Sequence, residues 1–519
     1  MTLTITHKYL IFPTNPRCAV KTVTLSAGET LCYDFTLRLD NIAPTFSACV
    51  DVARFMGRTL TLAVDPEMPL CVEQADEMPL DGLWAEPLRP QVHFTVKNGW
   101  NNDPNGLVFH DGLYHMFFQY NPCAAEWGNM HWGHAVSRDL LHWEEQDIVL
   151  FPDELGTMYS GSAITDTAGL AGLGEGAMLL YYTAAGGRNL LSRGQPSSQC
   201  LACSVDGGKT FTKYPANPII PHIEGGNRDP KVIWVEEMGV YIMALYRAED
   251  RYALLRSDDL LSWVQFQTIR LPGDSECPDL YPLTCDGERL WVFSGASDFY
   301  LIGRFTADGF VPSGEPRRLT GSKTSYAAQS FSGIPDGRVI RFWWDRLGAP
   351  GGRFSQQMSI PVEMHLEEED GVHHLCAAPI RELTSLHLGG GTMTNLALAE
   401  SIRLETGFSP IDLTLQADWC DAALTIDLFG MRLTCDMSRN LLSYGKTKIP
   451  LRTTGRGLDL RLIVDRCSVE IFADGGRICL TDLLLCDPNL PRIILSTDCP
   501  IKINRLEWHA LASIHGDSQ

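Results

Sequence analysis

Three carboxylates in this chain sit in similar and unusual settings. Asp103 lies in Trp100-Asn101-Asn102-Asp103-Pro104-Asn105-Gly106, Asp229 in Asn227-Arg228-Asp229-Pro230-Lys231, and Glu276 in Asp274-Ser275-Glu276-Cys277-Pro278-Asp279. Each is followed within two residues by proline, which locks φ and stiffens the bend that carries the acid. Singly, each reads as a turn with a solvated carboxylate. As a set they point to convergence on one site. Two carboxyls around one scissile bond are what glycoside hydrolysis needs: one attacks or stabilises an oxocarbenium-like centre and the other protonates the leaving oxygen. The proton donor must have its pKa raised by burial or by a neighbouring charge. A third acid can hold sugar hydroxyls. Trp100, Gln119, Trp127 and Trp343 offer stacking faces and amide hydrogen bonds suited to a neutral sugar.

The elements that must bring these acids together are strands. Short alternating or apolar runs, such as Leu113–Tyr120 and Ala177–Thr183, are separated by Gly, Asp, Asn and Pro clusters. A loose repeat runs through the middle of the chain. Ser137-Arg138-Asp139-Leu140-Leu141-His142-Trp143 returns as Ser257-Asp258-Asp259-Leu260-Leu261-Ser262-Trp263, with Ser204-Val205-Asp206-Gly207-Gly208-Lys209-Thr210-Phe211 between them. That spacing, about one four-stranded blade, predicts a propeller whose outer hairpins each place an aromatic between blades. The fold class is therefore all-β. A five-bladed β-propeller over residues 91–386 is preceded by a small N-terminal β-domain with an acidic, proline-rich linker (1–90). A C-terminal β-sandwich follows over 387–519, where strict alternation implies strands with one buried face. Inner propeller strands ring a funnel, so acids from separate blades can meet there.

Composition narrows the partners. Net charge is 42 − 63 = −21, which argues against nucleic acid, whose phosphates demand basic patches. No apolar run is long enough to span a membrane. The first residues show no basic region followed by an apolar core, so a cytoplasmic protein with reduced cysteines is expected. Cys200-x-x-Cys203 and His131-x-x-His134 both fall in strand-like stretches, where their spacing suits neither zinc nor redox chemistry.

With these motifs in order, the chain resembles glycoside hydrolase family 32, which contains invertases, inulinases, levanases and fructan exohydrolases. The resemblance covers roughly residues 92–510. It rests on His93 to Gly106, Phe118-Gln119-Tyr120-Asn121-Pro122, Trp127 to His134, Tyr159-Ser160-Gly161-Ser162-Ala163, Arg228-Asp229-Pro230, Glu276-Cys277-Pro278-Asp279-Leu280 and Leu460 to Phe472. It implies an exo-acting, retaining β-fructosidase in which Asp103 is the nucleophile, Glu276 the acid/base and Asp229 the transition-state stabiliser. Asn102, Gln119, Trp127, Ser160 and Arg228, with Trp100, Tyr159 and Trp343, would bind the fructosyl unit. Sucrose, fructo-oligosaccharides or fructans are the implied substrates, and neither metal nor cofactor is called for. Position 101 is Asn where many members carry Met. The first 90 residues are absent from minimal members and could serve glycan binding or self-association, and the C-terminal domain could also mediate self-association. A fructosyltransferase would use the same acids, and a non-catalytic carbohydrate-binding propeller would have lost one. A sialidase, suggested by the Asp-box-like Ser204–Phe211, would need an arginine cluster.

Overall fold

The computed structural model describes residues 1–348, 352–407, 410–452, 457–484 and 492–515. Between Gly99 and Pro379 five antiparallel four-stranded meanders follow one another as blades. Their innermost strands are Gly99–His110, Thr157–Asp166, Arg228–Val235, Asp279–Cys285 and Ser325–Ser330. Each packs against the next and the fifth returns to the first, which closes the propeller. Two devices hold the closure. Phe354–Ser355 pairs in parallel with Gly99 and Trp100. Gln329 of blade 5 donates to the Gly161 carbonyl of blade 2 at 2.9 Å and accepts the Leu107 N–H of blade 1 at 3.1 Å.

Burial explains the sequence pattern. Second strands such as Ala177–Ala185 are buried along their whole length because neighbouring blades cover both faces, so they read as continuous apolar runs. Outer strands such as Val264–Arg270 are largely exposed. The Ser-x-Asp repeat marks the turn from the third to the outer strand in blades 1, 2 and 3. Ser137, Ser204 and Ser257 bond Asp139, Asp206 and Asp259 at 3.0, 2.8 and 3.1 Å, and each Asp accepts backbone N–H groups of the turn. The aromatics that follow pack between blades, as expected. Trp143 meets Phe342 of blade 5, Phe211 meets Phe117 of blade 1 and Trp263 meets Tyr181 of blade 2.

Two six-stranded sheets after His387 enclose a separate aliphatic core built from residues such as Leu413, Leu424, Ile471 and Leu495. At the other end, Thr2–Thr4, Thr59–Asp65, Lys21–Ala27 and Thr30–Leu37 form one small sheet, and Phe46–Asp51, Tyr9–Thr14 and Glu73–Ala75 another. Their shared core takes in Cys123 from the propeller. The stretch 65–90 is more than a tether. Glu73–Ala75 is a paired strand, and Arg89 is fully buried with its guanidinium 3.7 Å from the Phe354 ring centre.

A buried polar cluster joins propeller and sandwich. The Gln91 and Val92 N–H groups donate to the Asp465 carboxylate, His93 Nδ1 lies 2.8 Å from Asp465 Oδ2 and His93 Nε2 lies 3.1 Å from Glu470 Oε1. Burial works against charge on His93, but the two carboxylates outweigh it and raise its pKa to about 10. Asp345 lies beside them, its pKa pushed up first by burial and then by Glu470. The folded state thus keeps a proton on His93 that the unfolded chain releases near pH ~6.5. This stability is fully present below that value and is lost as pH climbs toward the folded pKa. Thermal unfolding midpoints should fall between about pH 6.5 and pH 10. His93→Gln should flatten that decline and, by leaving buried carboxylates unpaired, cost about 3–5 kcal/mol at pH 6.5.

Candidate active site

The innermost strands lose register near their starts, and they do so where the chemistry-bearing residues lie. Irregularities fall between Asn101 and Pro104, Tyr159 and Gly161, Arg228 and Lys231, and Tyr326 and Gln329. In blade 4 the inner strand begins at Asp279, directly after the Glu276-Cys277-Pro278 turn. A bulge leaves a residue out of the ladder and re-aims its side chain. Those left out here include Asp103, Ser160 and Asp229. Asp229 and Glu276 are also held at φ +65° and +61°, with Cys277 at +35° and Ala327 at +50°. Left-handed backbone costs an L-residue of order 1–2 kcal/mol, and such strain collects at functional sites.

The three acids converge. Asp103 is buried and its carboxylate is saturated with donors. Asn102 Nδ2 reaches Oδ1 at 3.1 Å, while Ser160 Oγ and Gln119 Nε2 reach Oδ2 at 2.5 and 3.1 Å. Gln119 also bonds Ser160. The Cys277 thiol lies between two of the acids, 3.6 Å from Asp103 Oδ2 and 3.5 Å from Asp229 Oδ2. Asp229 Oδ2 accepts the Cys277 N–H at 3.0 Å, and the Asp229 N–H donates to Thr183 Oγ1 at 2.8 Å. Glu276, one-third exposed at its side chain, is the most open of the three. Its Oε1 takes Arg228 Nη2 at 2.6 Å and its Oε2 takes the Tyr326 hydroxyl at 3.1 Å. Arg228 Nε is 3.6 Å from Asp229 Oδ2, so one guanidinium serves two carboxylates.

Electrostatics separates the acids. Burial raises the pKa of Asp103, against the pull of Ser160 and Asn102, which favour its anion. Burial raises Asp229 to about 7, although Arg228 opposes it. Desolvation and like charge both penalise ionisation, and donors and the arginine restore it. Such a set can supply an anion in a fixed direction, a proton at a more open carboxyl and a grip on hydroxyl groups.

Most residues singled out from the sequence fall in this neighbourhood. Trp100 Nε1 donates to Asn102 Oδ1 at 2.9 Å, which fixes the amide that faces Asp103. Tyr159 precedes Ser160, and its ring meets Trp127 edge-on at 6.2 Å. Trp127 is half exposed. Trp343 is a correction. It is 2 % exposed, sits in the hydrophobic core and donates its indole N–H to Asp298. Its neighbour Trp344 points the other way, as alternation along a strand requires. Trp344 meets Trp100 and Tyr326 edge-on at 5.9 and 6.1 Å. Beneath the acids, Asp298 belongs to a buried ion chain. Lys231 Nζ lies 3.0 Å from Asp279, and Arg341 links Asp279 to Asp298 at 3.2 and 3.1 Å.

Cys277, Thr183, Tyr326 and Trp344 are the residues that motif reading passed over. Cys277 stood next to Glu276 and was legible as a neighbour of the acid; Tyr326 and Trp344 lie in the fifth blade, where the pattern is loose, and Thr183 closes an apolar run that marks it only as part of a strand. Asn101 is fully buried, and its amide has no partner among the described residues. One group with metal-donor spacing occurs among the described residues, His93, Asp345 and Glu470. It lies at the propeller–sandwich seam, where both imidazole nitrogens already face carboxylates. His131 and His134 lie on one strand three residues apart and hence on opposite faces.

The profile of the Glycosyl hydrolases family 32 N-terminal domain matches residues 93–379, and that of the Glycosyl hydrolases family 32 C terminal matches 427–497. A levanase of Bacillus subtilis (strain 168) is 31% identical over 83% of this chain and 72% of its own length. An extracellular exo-inulinase of Aspergillus awamori is 30% identical over 77% of this chain and 89% of its own. The crystal structure of exo-inulinase from Aspergillus awamori superposes with a TM-score of 0.74 at 26% identity, covering 84% of this chain and all of that one.

Removing the shared guanidinium tests the charge balance. Arg228→Met leaves Asp229 without the guanidinium that opposes its raised pKa, so that folded-state pKa rises further. Stability tied to a raised carboxyl pKa is lost as pH increases. The deficit of the variant against the parent protein should therefore widen from pH 5 to pH 8 in thermal unfolding. At pH 8 it should reach roughly 2–3 kcal/mol, below the fully buried range because Arg228 is partly exposed.

Proposed function

This chain belongs to glycosyl hydrolases family 32, and we propose that Asp103, Glu276 and Asp229 are the groups with which it works. It is a fructose-releasing glycoside hydrolase, a β-fructofuranosidase acting on carbohydrate. Asp103 attacks the anomeric C2 of a terminal fructofuranosyl unit. Glu276 gives its proton to the departing glycosidic oxygen, and a fructosyl ester forms on Asp103 as the C2–O bond breaks. Glu276, now ionised, takes a proton from water, which attacks C2 and frees fructose and the Asp103 carboxylate. Two inversions give net retention.

One observation supports this division above the others, namely the contrast between the two carboxyls. Asp103 is buried and aimed by three donors, as an anion that must attack in one direction should be. Glu276 is more exposed and so can reach a leaving group that extends outward. Asp229 with Arg228 holds fructose hydroxyls, and the Tyr326 hydroxyl keeps Glu276 in line. Short fructans and sucrose are the proposed substrates. Fructosyl transfer to a sugar hydroxyl in place of water is the second reading, because the same ester would serve it.

Asp103→Asn and Glu276→Gln should each lower kcat on sucrose by roughly three to five orders of magnitude with the unfolding midpoint little changed. Near-normal turnover in either would overturn the assignment. NMR of the first-formed sugar should show the β-anomer of fructose from a β-fructoside. Incubation with concentrated sucrose should yield glucose and fructose in equal amounts, and lengthening oligosaccharides would instead mark a transferase.

A further inference from the structure

Two side chains of blade 2 close a hydrogen-bonded ring around the turn that carries Arg228 and Asp229. Register breaks between Arg228 and Lys231, and Pro230 has no N–H, so the backbone groups of this turn must find partners outside the ladder. The Asp229 N–H finds Thr183 Oγ1 at 2.8 Å. The Asn227 carbonyl finds Gln199 Nε2 at 3.3 Å. The Thr183 hydroxyl and Gln199 Oε1 join the two at 2.7 Å. Each direction is forced. A backbone N–H only donates and a carbonyl only accepts, so Thr183 accepts from Asp229 and gives its one hydrogen to Gln199. Thr183, Gln199 and Asn227 are fully buried, so bulk water does not compete for these groups.

The two side chains are themselves held. Thr183, in Ala177–Ala185, and Gln199, in Ser198–Ser204, are register partners on neighbouring strands. The Gln199 backbone is also bridged to Ile220. On its other flank Thr183 pairs with Tyr159, at the break that leaves Ser160 out of the ladder. One strand position thus adjoins both the Ser160 that bonds Asp103 and the Asp229 of the next blade. The Asp229 carboxylate is reached from blade 4 by the Cys277 N–H. Blade 2 therefore fixes its main chain and blade 4 its side chain. Arg228, which reaches Glu276, lies between the two clamped residues.

We propose that Thr183 and Gln199 are positioning residues acting as one clamp on Asn227–Asp229, which sets the direction from which Asp229 and Arg228 meet the sugar in the transition state. This rests on the role given to Asp229 above and adds the device that aims it. Neither side chain is a catalytic residue, since both act through the main chain of the turn. Asp229 sits at φ +65°, outside the regular strand conformation, so its place depends on partners from other blades. A stabiliser that is slightly misaimed still admits substrate but loses contacts that strengthen as the bond breaks. The clamp should therefore act on kcat and leave KM nearly in place.

The test is kinetic, on the full chain, with sucrose. Thr183→Val keeps the shape of the side chain and removes the hydroxyl. It should lower kcat about 10- to 100-fold with KM within about three-fold. Thr183→Ser restores the hydroxyl and should return kcat to within about three-fold of the parent protein. Gln199→Met, an apolar chain of similar length, should lower kcat in the same way, and it carries the test if Thr183→Val does not fold. The double variant should be no more than about three-fold slower than the slower single one, because the two residues form one unit. Ser162→Ala is the control for a purely structural effect. Ser162 is equally buried and accepts the Val232 N–H at 2.9 Å, three residues further along the same strand. Its loss should lower the unfolding midpoint as Thr183→Val does while leaving kcat within about two-fold. Unchanged kcat in Thr183→Val, a change confined to KM, no recovery with serine, or an equal fall in Ser162→Ala would overturn the proposal. Asp229→Asn, measured alongside, tests the underlying role. Full turnover there removes the stabiliser itself, whereas a deep loss there beside an unchanged Thr183→Val removes only the clamp.

Discussion

Three carboxylates share one poorly solvated space, and their mutual repulsion is the constraint that the surrounding structure must contain. Two of them are buried and tend toward protonation, yet a nucleophile must be an anion. The structure offsets the penalty locally. Asp103 draws on an amide, a hydroxyl and a second amide. Asp229 draws on a backbone N–H and Nε of Arg228, and Glu276 on Nη2 of the same guanidinium. None of these groups lies next to its partner in the chain apart from Asn102, beside Asp103, and Arg228, beside Asp229. Convergence therefore depends on the closure of the ring of inner strands.

That closure is reinforced from below and from the side. Lys231, Asp279, Arg341 and Asp298 tie blades 3, 4 and 5 through buried charge. Gln329 ties blade 5 to blades 1 and 2. The His93 cluster fixes the start of the propeller to the sandwich. Buried ion pairs are weak evidence for net stability. Their value here is geometric: Lys231 and Asp279 fix the inner strands of blades 3 and 4 relative to each other, and Arg341 holds the second strand of blade 5 to Asp279 and Asp298 of blade 4.

Much of this was legible in the sequence, for physical reasons that can be named. The Ser-x-Asp turns recur because each blade needs the same side-chain-capped reversal, and their aromatics recur because each seam between blades needs filling. The three acids stood out because proline stiffened each setting. Other features were hidden. Trp343 and Trp344 are adjacent, and only the register of their strand tells which one faces the site. The stretch 65–90 looks like a linker by composition, but Arg89 and Glu73–Ala75 pack through contacts with segments distant in sequence. Thr183 and Tyr326 act through partners 46 and 50 residues away, so no local pattern marks them.

The broken ladders at the strand starts also have an evolutionary consequence. Each fixes the phase between an inner strand and its own side chains, so inserting or deleting one residue there would turn a carboxylate from the funnel into the wall. Length changes in the outer reversals carry no such parity. Divergence among relatives should then accumulate as altered loop lengths at the periphery, while the residue count from each bulge to the acid it aims stays invariant.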